Sequence, residues 1–223
     1  MFNDRHPMYE EFRHFRGGIY IIEGIIGAGK TTLGNSLETY FNDIGIECKF
    51  YKEYVNKELL NQFIGDMTKY AYSYQMIMLI KRLEIYKEAE EFSKLGGIAF
   101  IDRSLVGDMT FAKMHHNKKN ISDSEWEIYN NFVKNEKVLT PTACIYLDCD
   151  INTSIDRIKT RGIISEINGY NNNYLNELKN MYDDVINNQK NVKVIKIDWN
   201  DSMILKDRLI TDDDLVNIIR LLA

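Results

Sequence analysis

One glycine-rich segment, Gly24–Thr31, restricts the fold of this chain more than any other feature. It reads Gly-Ile-Ile-Gly-Ala-Gly-Lys-Thr and matches the pattern Gly-x-x-x-x-Gly-Lys-Ser/Thr at every fixed position. An apolar run, Ile19–Glu23, precedes it, and a stretch of helical character, Thr31–Asp43, follows it. This order predicts a buried strand, a tight phosphate-binding turn and a helix whose N-terminus faces the bound phosphates.

Short apolar runs rich in β-branched and aromatic residues recur along the chain. They are nearly continuous rather than alternating, which is typical of strands covered on both faces. Helical stretches separate them, so we predict an α/β fold: a five-stranded parallel sheet flanked by helices, with ligands at the carboxyl ends of the strands. The predicted strands are Ile19–Glu23, Glu47–Tyr51, Ile98–Ile101, Ala143–Leu147 and Val192–Ile197.

Two pairs of residues have the spacing of a helix-capping box, in which each side chain bonds to the other's backbone N–H. Ser122 with Glu125 predicts the start of a helix that extends through Val138. Thr211 with Asp214 predicts the start of a C-terminal helix.

Length and charge limit the classes of protein that this chain can belong to. Its 223 residues suit one domain, which we predict over residues 17–223, with residues 1–16 as a flexible tail. The net charge of -5 argues against nucleic acid as a partner, and no apolar stretch is long enough for a membrane span. Cys48, Cys144 and Cys149 match no metal motif, so we expect buried, reduced thiols and a cytoplasmic protein.

The glycine-rich segment predicts how a nucleoside triphosphate is held. Glycines let successive backbone N–H groups turn towards phosphate oxygens. Lys30 can reach the β- and γ-phosphates, and the Thr31 hydroxyl can ligate magnesium, so the expected cofactor is Mg²⁺ with ATP. The predicted ATP-binding residues of this segment are Gly24, Gly27, Ala28, Gly29, Lys30, Thr31 and Thr32.

Three charged residues follow predicted strands and therefore lie at the ligand-binding edge of the predicted sheet. Glu53 could accept the proton of an attacking hydroxyl group, although a surface position is an open alternative. Asp102 could orient magnesium, and Arg103 could supply positive charge to a transferring phosphoryl group. The alternative for this pair is a salt bridge that caps the next helix.

Arg157 and Arg161 lie four residues apart, on one face of a predicted helix, before Gly162 and a polar stretch that reaches Asn173. Two guanidinium groups at this spacing repel each other unless an anion or a carboxylate lies between them. A lid that closes over ATP phosphates accounts for both arginines and for a flexible segment after them. A solvated helix face is the competing interpretation.

Together these segments resemble the deoxynucleoside kinases, the family that includes deoxycytidine, deoxyguanosine and mitochondrial-type thymidine kinases. The resemblance implies a P-loop kinase fold with an Arg-bearing lid. It also implies transfer of the ATP γ-phosphate to the 5′-hydroxyl of a deoxynucleoside, in nucleotide salvage. It runs from about Gly18 to Asp198 and rests on Ile22–Thr32, Glu53, Asp66–Gln75, Asp102–Ser104 and Arg157–Gly162.

The resemblance implies roles for the catalytic residues. Glu53 matches the general base of the family, and Arg103 matches the arginine that holds the 5′-hydroxyl region and the phosphoryl group. Lys30 completes the predicted catalytic set. Gln75 matches the glutamine that pairs with the base edge, and Met78, three residues further along the same helix, would lie beside it.

Three more residues would complete the acceptor site by resemblance. Arg82 and Asp108 match the two polar residues at the far end of the base pocket in the cytidine- and purine-accepting branches. Their donors and acceptors favour purine deoxynucleosides or deoxycytidine over thymidine. Glu166 falls at the lid position of an acid that contacts the sugar 3′-hydroxyl.

The chain departs from the family pattern at five positions. Tyr54 and Met67 stand where the family usually has proline, and Tyr70 stands where it has tryptophan. Ile64 replaces a tyrosine that helps to bind the 3′-hydroxyl, and Ile163 replaces the second arginine of the lid. Ile64 and Tyr70 are therefore predicted substrate-binding positions with altered chemistry.

Two other functions remain open from sequence. A thymidylate-type nucleoside monophosphate kinase has a similar glycine-rich segment, but its phosphorylated acceptor calls for a cation close to the catalytic acid. A P-loop module that binds nucleotide without kinase activity is the other alternative. Family members are generally homodimers, and the helices predicted at Thr68–Ser93 and Glu125–Val138 could form such an interface.

Overall fold

The computed structural model describes residues 7–15, 17–200 and 210–222. Its five strands form one sheet in which every pair is parallel, in the order β2-β3-β1-β4-β5. The strands are β1 (Ile19–Glu23), β2 (Cys48–Tyr51), β3 (Ile98–Asp102), β4 (Ala143–Asp148) and β5 (Lys193–Asp198). The helices are α1 (Pro7–Phe12), α2 (Lys30–Asp43), α3 (Lys57–Gly65), α4 (Met67–Lys94), α5 (Leu105–Asn117), α6 (Asp123–Asn135), α7 (Ile151–Arg161), α8 (Ile164–Gly169), α9 (Asn172–Asn187) and α10 (Asp212–Leu222).

The sheet confirms the predicted α/β architecture, and four of its strands are buried along most of their length. The edge strand β5 differs, because Ile195 and Ile197 are buried while Lys196 and Asp198 are exposed. The prediction of continuous burial was therefore wrong for β5, because one face of this strand, that of Lys196 and Asp198, is not covered.

Both predicted capping boxes are present. Ser122 and Glu125 bond to each other's backbone N–H at the start of α6, and Thr211 and Asp214 do the same before α10. The predicted end of α6 was wrong, because the chain becomes extended after this helix and packs Val138 against the core. No helix among the described residues is long and apolar enough to cross a membrane.

The N-terminal segment corrects the predicted flexible tail. Residues 7–12 form α1, and Phe12 and Phe15 are buried in the main core, with Phe15 against the ring of Phe41 at 6.1 Å between centroids. Glu11 of α1 also pairs with Arg220 of α10 at 2.7 Å. Apolar burial therefore orders this stretch, while residues 1–6 and 16 lie outside the described part.

The segment after Arg161 also differs from the prediction. Gly162 ends α7 in a left-handed conformation, with φ of 75°. The polar stretch that follows forms α8 and the first turn of α9 instead of a flexible lid segment. Helix α8 packs against α3, where a Cβ atom added to Gly169 would lie 2.4 Å from the Ile64 side chain.

The sheet order explains how distant residues meet. Strand β1 is central, so the glycine-rich segment that follows it starts between β3 and β4. The register pairs Ile22 with Asp102, and Ile101 with Tyr51. Because the strands are parallel, Asp102 and Glu53 therefore lie at the same edge as the glycine-rich segment.

Candidate active site

A cavity of about 450 Å³ opens at the carboxyl ends of β1, β2 and β3. The glycine-rich segment borders it on one side, α4 on another, and the α7–α8 connection on a third. Predicted site residues that line it are Gly27, Gly29, Lys30, Thr31, Thr32, Glu53, Gln75, Met78, Arg82, Asp102, Arg103, Arg161 and Glu166.

The glycine-rich segment has the backbone that its sequence predicts. Gly24, Gly27 and Gly29 have φ of 147°, 78° and 97°, values that disfavour other residues. A Cβ atom at Gly27 would also lie 2.6 Å from the backbone oxygen of Ser154. The segment therefore depends on glycine both for its turns and for its close approach to α7.

Lys30 lies buried within the glycine-rich segment. Its Nζ donates to the backbone oxygens of Gly24 at 3.2 Å and Ile25 at 3.1 Å. Burial, with a further contribution from Arg103, lowers the pKa of Lys30 to about 8. The ammonium group is thus held at the mouth of the turn, where phosphate oxygens would meet it.

Thr31, in the first turn of α2, lies beside Asp102, the last residue of β3. The Thr31 hydroxyl donates to Asp102 Oδ2 at 2.5 Å, while the buried Oδ1 atom of Asp102 has no hydrogen-bond partner among the described residues. An unpartnered buried carboxylate oxygen is costly in an apo protein. A hydroxyl next to such an oxygen is a donor set that suits Mg²⁺ or its bound water.

Glu53 lies between two arginines. Its Oε1 accepts from Arg82 Nη2 and pairs with Arg103 Nε at 3.1 Å. Burial acts to raise the pKa of Glu53, but Arg103, Arg82 and Lys30 outweigh it and lower the pKa to about 2. The side chain is thus a permanent carboxylate at neutral pH, and the alternative of an unpaired surface residue does not hold.

Arg82 joins Glu53 to the far end of the cavity. Its Nη1 donates to Asp108 Oδ2, and Tyr129 donates its hydroxyl to Asp108 Oδ1 at 2.7 Å. Asp108 is fully buried and does not border the cavity, whereas Gln75, which donates to the Asp108 backbone oxygen at 3.3 Å, does. A ligand at this end therefore meets the guanidinium of Arg82 and the amide of Gln75, and not the predicted Asp108 carboxylate.

Arg103 has a left-handed backbone conformation, with φ of 67°, which is uncommon for a residue with a side chain. Its guanidinium lies 4.6 Å from the Phe111 ring centroid and donates to the Tyr182 hydroxyl at 2.6 Å. Backbone strain of this kind clusters at functional sites. The left-handed turn at Arg103 therefore points its buried guanidinium towards Glu53.

The two lid arginines have different environments. Arg161 borders the cavity and donates to Glu166 at 3.1 and 3.3 Å. Arg157 does not border it, and instead donates to the backbone oxygens of Ala28, Trp199 and Asn200 at 3.0 to 3.3 Å. The structure does not bring both guanidinium groups onto one anion site, because carbonyl groups hold Arg157.

Ile64 and Tyr70, two of the predicted substrate-binding residues, are not among the cavity-lining residues. Both pack against the main core, and Tyr70 also has the Lys69 ammonium 4.8 Å from its ring centroid.

An apolar and aromatic wall lines the cavity, and the sequence analysis did not assign it. The rings of Phe63 and Tyr74 stack at 4.4 Å. A usable signal existed on α4, where Tyr74, Met78 and Arg82 are spaced by four residues and share one face. The lining residues without a predicted site role are Ile26, Tyr54, Val55, Leu60, Phe63, Tyr74, Phe111, Ile163 and Tyr170.

This fold and this site define an α/β P-loop kinase. The phosphate-binding turn follows the central strand, and a carboxylate flanked by arginines stands beside it over a cavity large enough for a small organic acceptor.

Comparison with known proteins identifies the group within that class. Residues 20–220 match the family model described as Deoxynucleoside kinase. The chain therefore belongs to the deoxynucleoside kinase family, and it is a kinase that transfers a phosphoryl group to a nucleoside.

Individual relatives agree with this assignment. Deoxyadenosine kinase of Dictyostelium discoideum is 28% identical over 183 residues, which cover 81% of this chain and 71% of that protein. Deoxyadenosine kinase of Lactobacillus acidophilus is 28% identical over 152 residues, which cover 65% of this chain and 66% of that protein. The solved structure of deoxyadenosine kinase from M. mycoides with dCMP and a flexible dCDP bound is 25% identical, with a TM-score of 0.71 over 91% of this chain and 97% of that chain.

Proposed function

We propose that this kinase moves the γ-phosphate of ATP onto the 5′-hydroxyl of a purine deoxynucleoside or of deoxycytidine, in nucleotide salvage. The observation that carries this proposal is the position of Glu53, which stands between the phosphate-binding turn and the Arg82 end of the cavity. A nucleoside with its base against Arg82 would bring its 5′-hydroxyl to Glu53 and to the γ-phosphate.

In this proposal Glu53 accepts the proton of the 5′-hydroxyl. A carboxylate with a pKa of about 2 is a weak base, so it takes the proton late, when bond formation to phosphorus has made the hydroxyl acidic. That order suits the loose transition state of phosphoryl transfer. Arg103 and Arg161 stabilise the charge on the transferring group, and Lys30 holds the β- and γ-phosphates.

The Thr31 hydroxyl and Asp102 are the residues that would hold Mg²⁺ with ATP. Their fit rests on the unpartnered, buried Oδ1 of Asp102 beside the Thr31 oxygen. Kinase magnesium sites use few protein ligands and complete their shell with phosphates and water. Held by these residues with ATP, the ion would neutralise part of the phosphate charge.

The lid side of the cavity would hold the sugar. Glu166 is buried, borders the cavity and is paired with Arg161, and in this proposal its carboxylate accepts a hydrogen bond from the 3′-hydroxyl. At the base end, Gln75 and Arg82 offer donors to ring acceptors of adenine or cytosine. The names of the two deoxyadenosine kinase relatives support an amino-bearing base.

The proposed assembly is a homodimer formed through α4 and α6. Ile80 of α4 and Ile128 of α6 are 41% and 54% exposed, and in the proposed dimer the partner covers these apolar side chains. The proposed compartment is the cytoplasm, because the three cysteines are free and buried, as expected where thiols stay reduced. Sedimentation of the purified chain tests the dimer.

The experiment that tests the function follows ADP release from ATP and Mg²⁺ with each deoxynucleoside and each deoxynucleoside monophosphate. Turnover with deoxyadenosine, deoxyguanosine or deoxycytidine supports the proposal. Turnover with thymidine monophosphate alone would support the thymidylate-type alternative, which the family match does not favour. ADP release that no acceptor increases would overturn the proposal.

A further inference from the structure

Glu23 is the last residue of β1 and is completely buried, next to the phosphate-binding turn. Its Oε1 accepts from the backbone N–H of Ser104 at 2.8 Å, the Ser104 hydroxyl at 2.8 Å and the backbone N–H of Gly107 at 3.1 Å. One carboxylate oxygen thus fixes the turn that follows Arg103. A buried carboxylate is costly unless donors surround it, and the donors to this oxygen all come from the start of α5.

The second oxygen of Glu23 extends the network to another element. Tyr182, on α9, donates its hydroxyl to Glu23 Oε2 at 3.0 Å and accepts from Arg103 Nη1 at 2.6 Å. Tyr182 is fully buried and is packed edge-on against Phe111, with ring centroids 6.3 Å apart. A rigid phenol therefore holds one end of the Arg103 guanidinium.

The other end of that guanidinium holds Glu53, through Nε at 3.1 Å. Because a guanidinium is planar and rigid, fixing Nη1 at Tyr182 also fixes the direction of Nε. The side-chain order is Glu23, Tyr182, Arg103, Glu53, and it runs from the base of the phosphate-binding turn to the acceptor cavity. Small displacements of reacting groups lower the reaction rate strongly, by up to about 10²-fold for 1 Å.

We infer that Tyr182, anchored by Glu23, is a positioning residue for phosphoryl transfer, because it holds Arg103 in the orientation that aligns Glu53 with the acceptor hydroxyl. The inference rests on the proposed function in one respect, the roles of Arg103 and Glu53. A purely structural role for Tyr182 is the alternative that the experiment separates.

The decisive variant is Tyr182→Phe, which removes only the hydroxyl. Its matched control is Tyr146→Phe, because Tyr146 is equally buried, its ring centroid lies 5.8 Å from that of Tyr182, and its hydroxyl faces Asp183 at 3.5 Å, not Arg103. We expect Tyr182→Phe to lower kcat by about tenfold or more, with the KM for ATP within about twofold of the wild-type value, because Lys30 and the turn are unchanged. The control should retain both values.

The pH profile gives a readout that lost stability alone would not move. Arg82, Arg103 and Lys30 are the cations that keep the Glu53 pKa low. If Arg103 loses its anchor, the Glu53 pKa rises, and the acidic limb of kcat/KM shifts to higher pH. An unchanged limb and an unchanged kcat in a folded Tyr182→Phe protein would overturn the inference.

A double-mutant cycle with Arg103→Lys tests whether Tyr182 acts through Arg103. The effect of Tyr182→Phe on kcat should largely disappear in the Arg103→Lys background, whereas additive effects would contradict the inference. Glu23→Gln provides a second route to the same network should Tyr182→Phe fold poorly, and its kcat should fall in the same direction; a wild-type kcat in this variant would count against the anchor. Nucleoside phosphorylation by the wild-type protein tests the proposed function separately.

Discussion

Glu53 draws its chemical character from residues far away in the chain. The carboxylate follows β2, but the cations that hold it come from α4, from the end of β3 and from the start of α2. A glutamate with an ordinary pKa is half protonated near pH 4.5, whereas Glu53, with a pKa of about 2, stays ionised at that pH as well. The same group is also fixed in direction by Arg82 and Arg103.

Replacing Glu53 with glutamine keeps its size and removes the proton acceptor. We expect Glu53→Gln to lower kcat by about 10²-fold or more, with little change in ATP affinity because the phosphate-binding turn is intact. Steady-state kinetics and titration with a fluorescent ATP analogue measure the two quantities. Glu58→Gln, at an exposed position in α3, is the control, and near-normal turnover of Glu53→Gln would rule out the general-base role.

Lys30 predicts a pH dependence of ATP binding. Its pKa is lowered to about 8 in the free protein, so the ammonium form is complete below that pH and is lost as the pH rises through it. We therefore expect ATP affinity in the wild-type protein to fall as the pH rises from about 8, the pKa of Lys30, to about 9.5, roughly 1.5 pH units above it. Equilibrium titrations measure this, and Lys30→Met should bind weakly at every pH. A wild-type affinity that stays constant over this range would contradict the assignment.

Helix α7 carries two arginines with separate tasks. Arg157 ties the helix to the phosphate-binding turn at Ala28 and to the end of β5, while Arg161, 46% exposed, faces the cavity beside Glu166. Both side chains are on one helix face, yet their partners differ because the phosphate-binding turn approaches the middle of α7 and the cavity lies at its end.

The difference between the two arginines is measurable. Arg161→Ala should lower kcat more than it weakens nucleoside binding, because the charge that Arg161 meets grows in the transition state, and it should cost less than about 1 kcal/mol of unfolding free energy. Arg157→Ala should lower kcat less, but should cost about 1 to 3 kcal/mol through its lost backbone contacts. Kinetics and urea unfolding separate the two. Modest rises in both KM values with unchanged kcat for Arg161→Ala would favour the solvated-face interpretation.

At the scale of elements, the sequence predicted those with strong local signals. Strands β1 to β4, helix α4 and the two capping boxes depend on apolar runs and on side chains close in sequence. The segments that form α1 and α8 are fixed by tertiary contacts, such as Phe12 in the core and Ile64 against Gly169. Local composition does not reveal such contacts. The aromatic wall was missed for the same reason, since Phe63 and Phe111 read as ordinary core residues.

At the scale of the whole molecule, the elements that surround the cavity together set the nucleoside preference that we expect. Arg82 borders the cavity and pairs with the buried Asp108 behind it. In the proposed placement of the base against Arg82, a ligand that leaves polar groups unpaired loses about 10²-fold in specificity. We expect kcat/KM for purine deoxynucleosides or deoxycytidine to exceed that for thymidine. Competition assays with the four deoxynucleosides measure it, and a tenfold preference for thymidine would contradict this placement of the pair.

The double variant Arg82→Met with Asp108→Ala should move the preference towards thymidine. The contact between Arg82 and Glu53 adds a second expected effect, a lower kcat with every nucleoside. Arg82→Lys in the wild-type background is the control, because it keeps a cation near Glu53 while losing the planar two-carboxylate contact. A double variant with altered preference and full turnover would show that Arg82 does not support Glu53.

The bridging position of Arg82 also constrains how members of such a lineage can diverge. One guanidinium contacts both Asp108, which holds Arg82 at the cavity, and Glu53, the proposed general base. We therefore expect a substitution at Arg82 to change the nucleoside preference and kcat together. A protein in which Arg82 is replaced, so that the cavity accepts a different nucleobase, needs another cation beside Glu53 first. We therefore expect ancestral routes between base preferences to pass through substitutions around Glu53 before any substitution at Arg82.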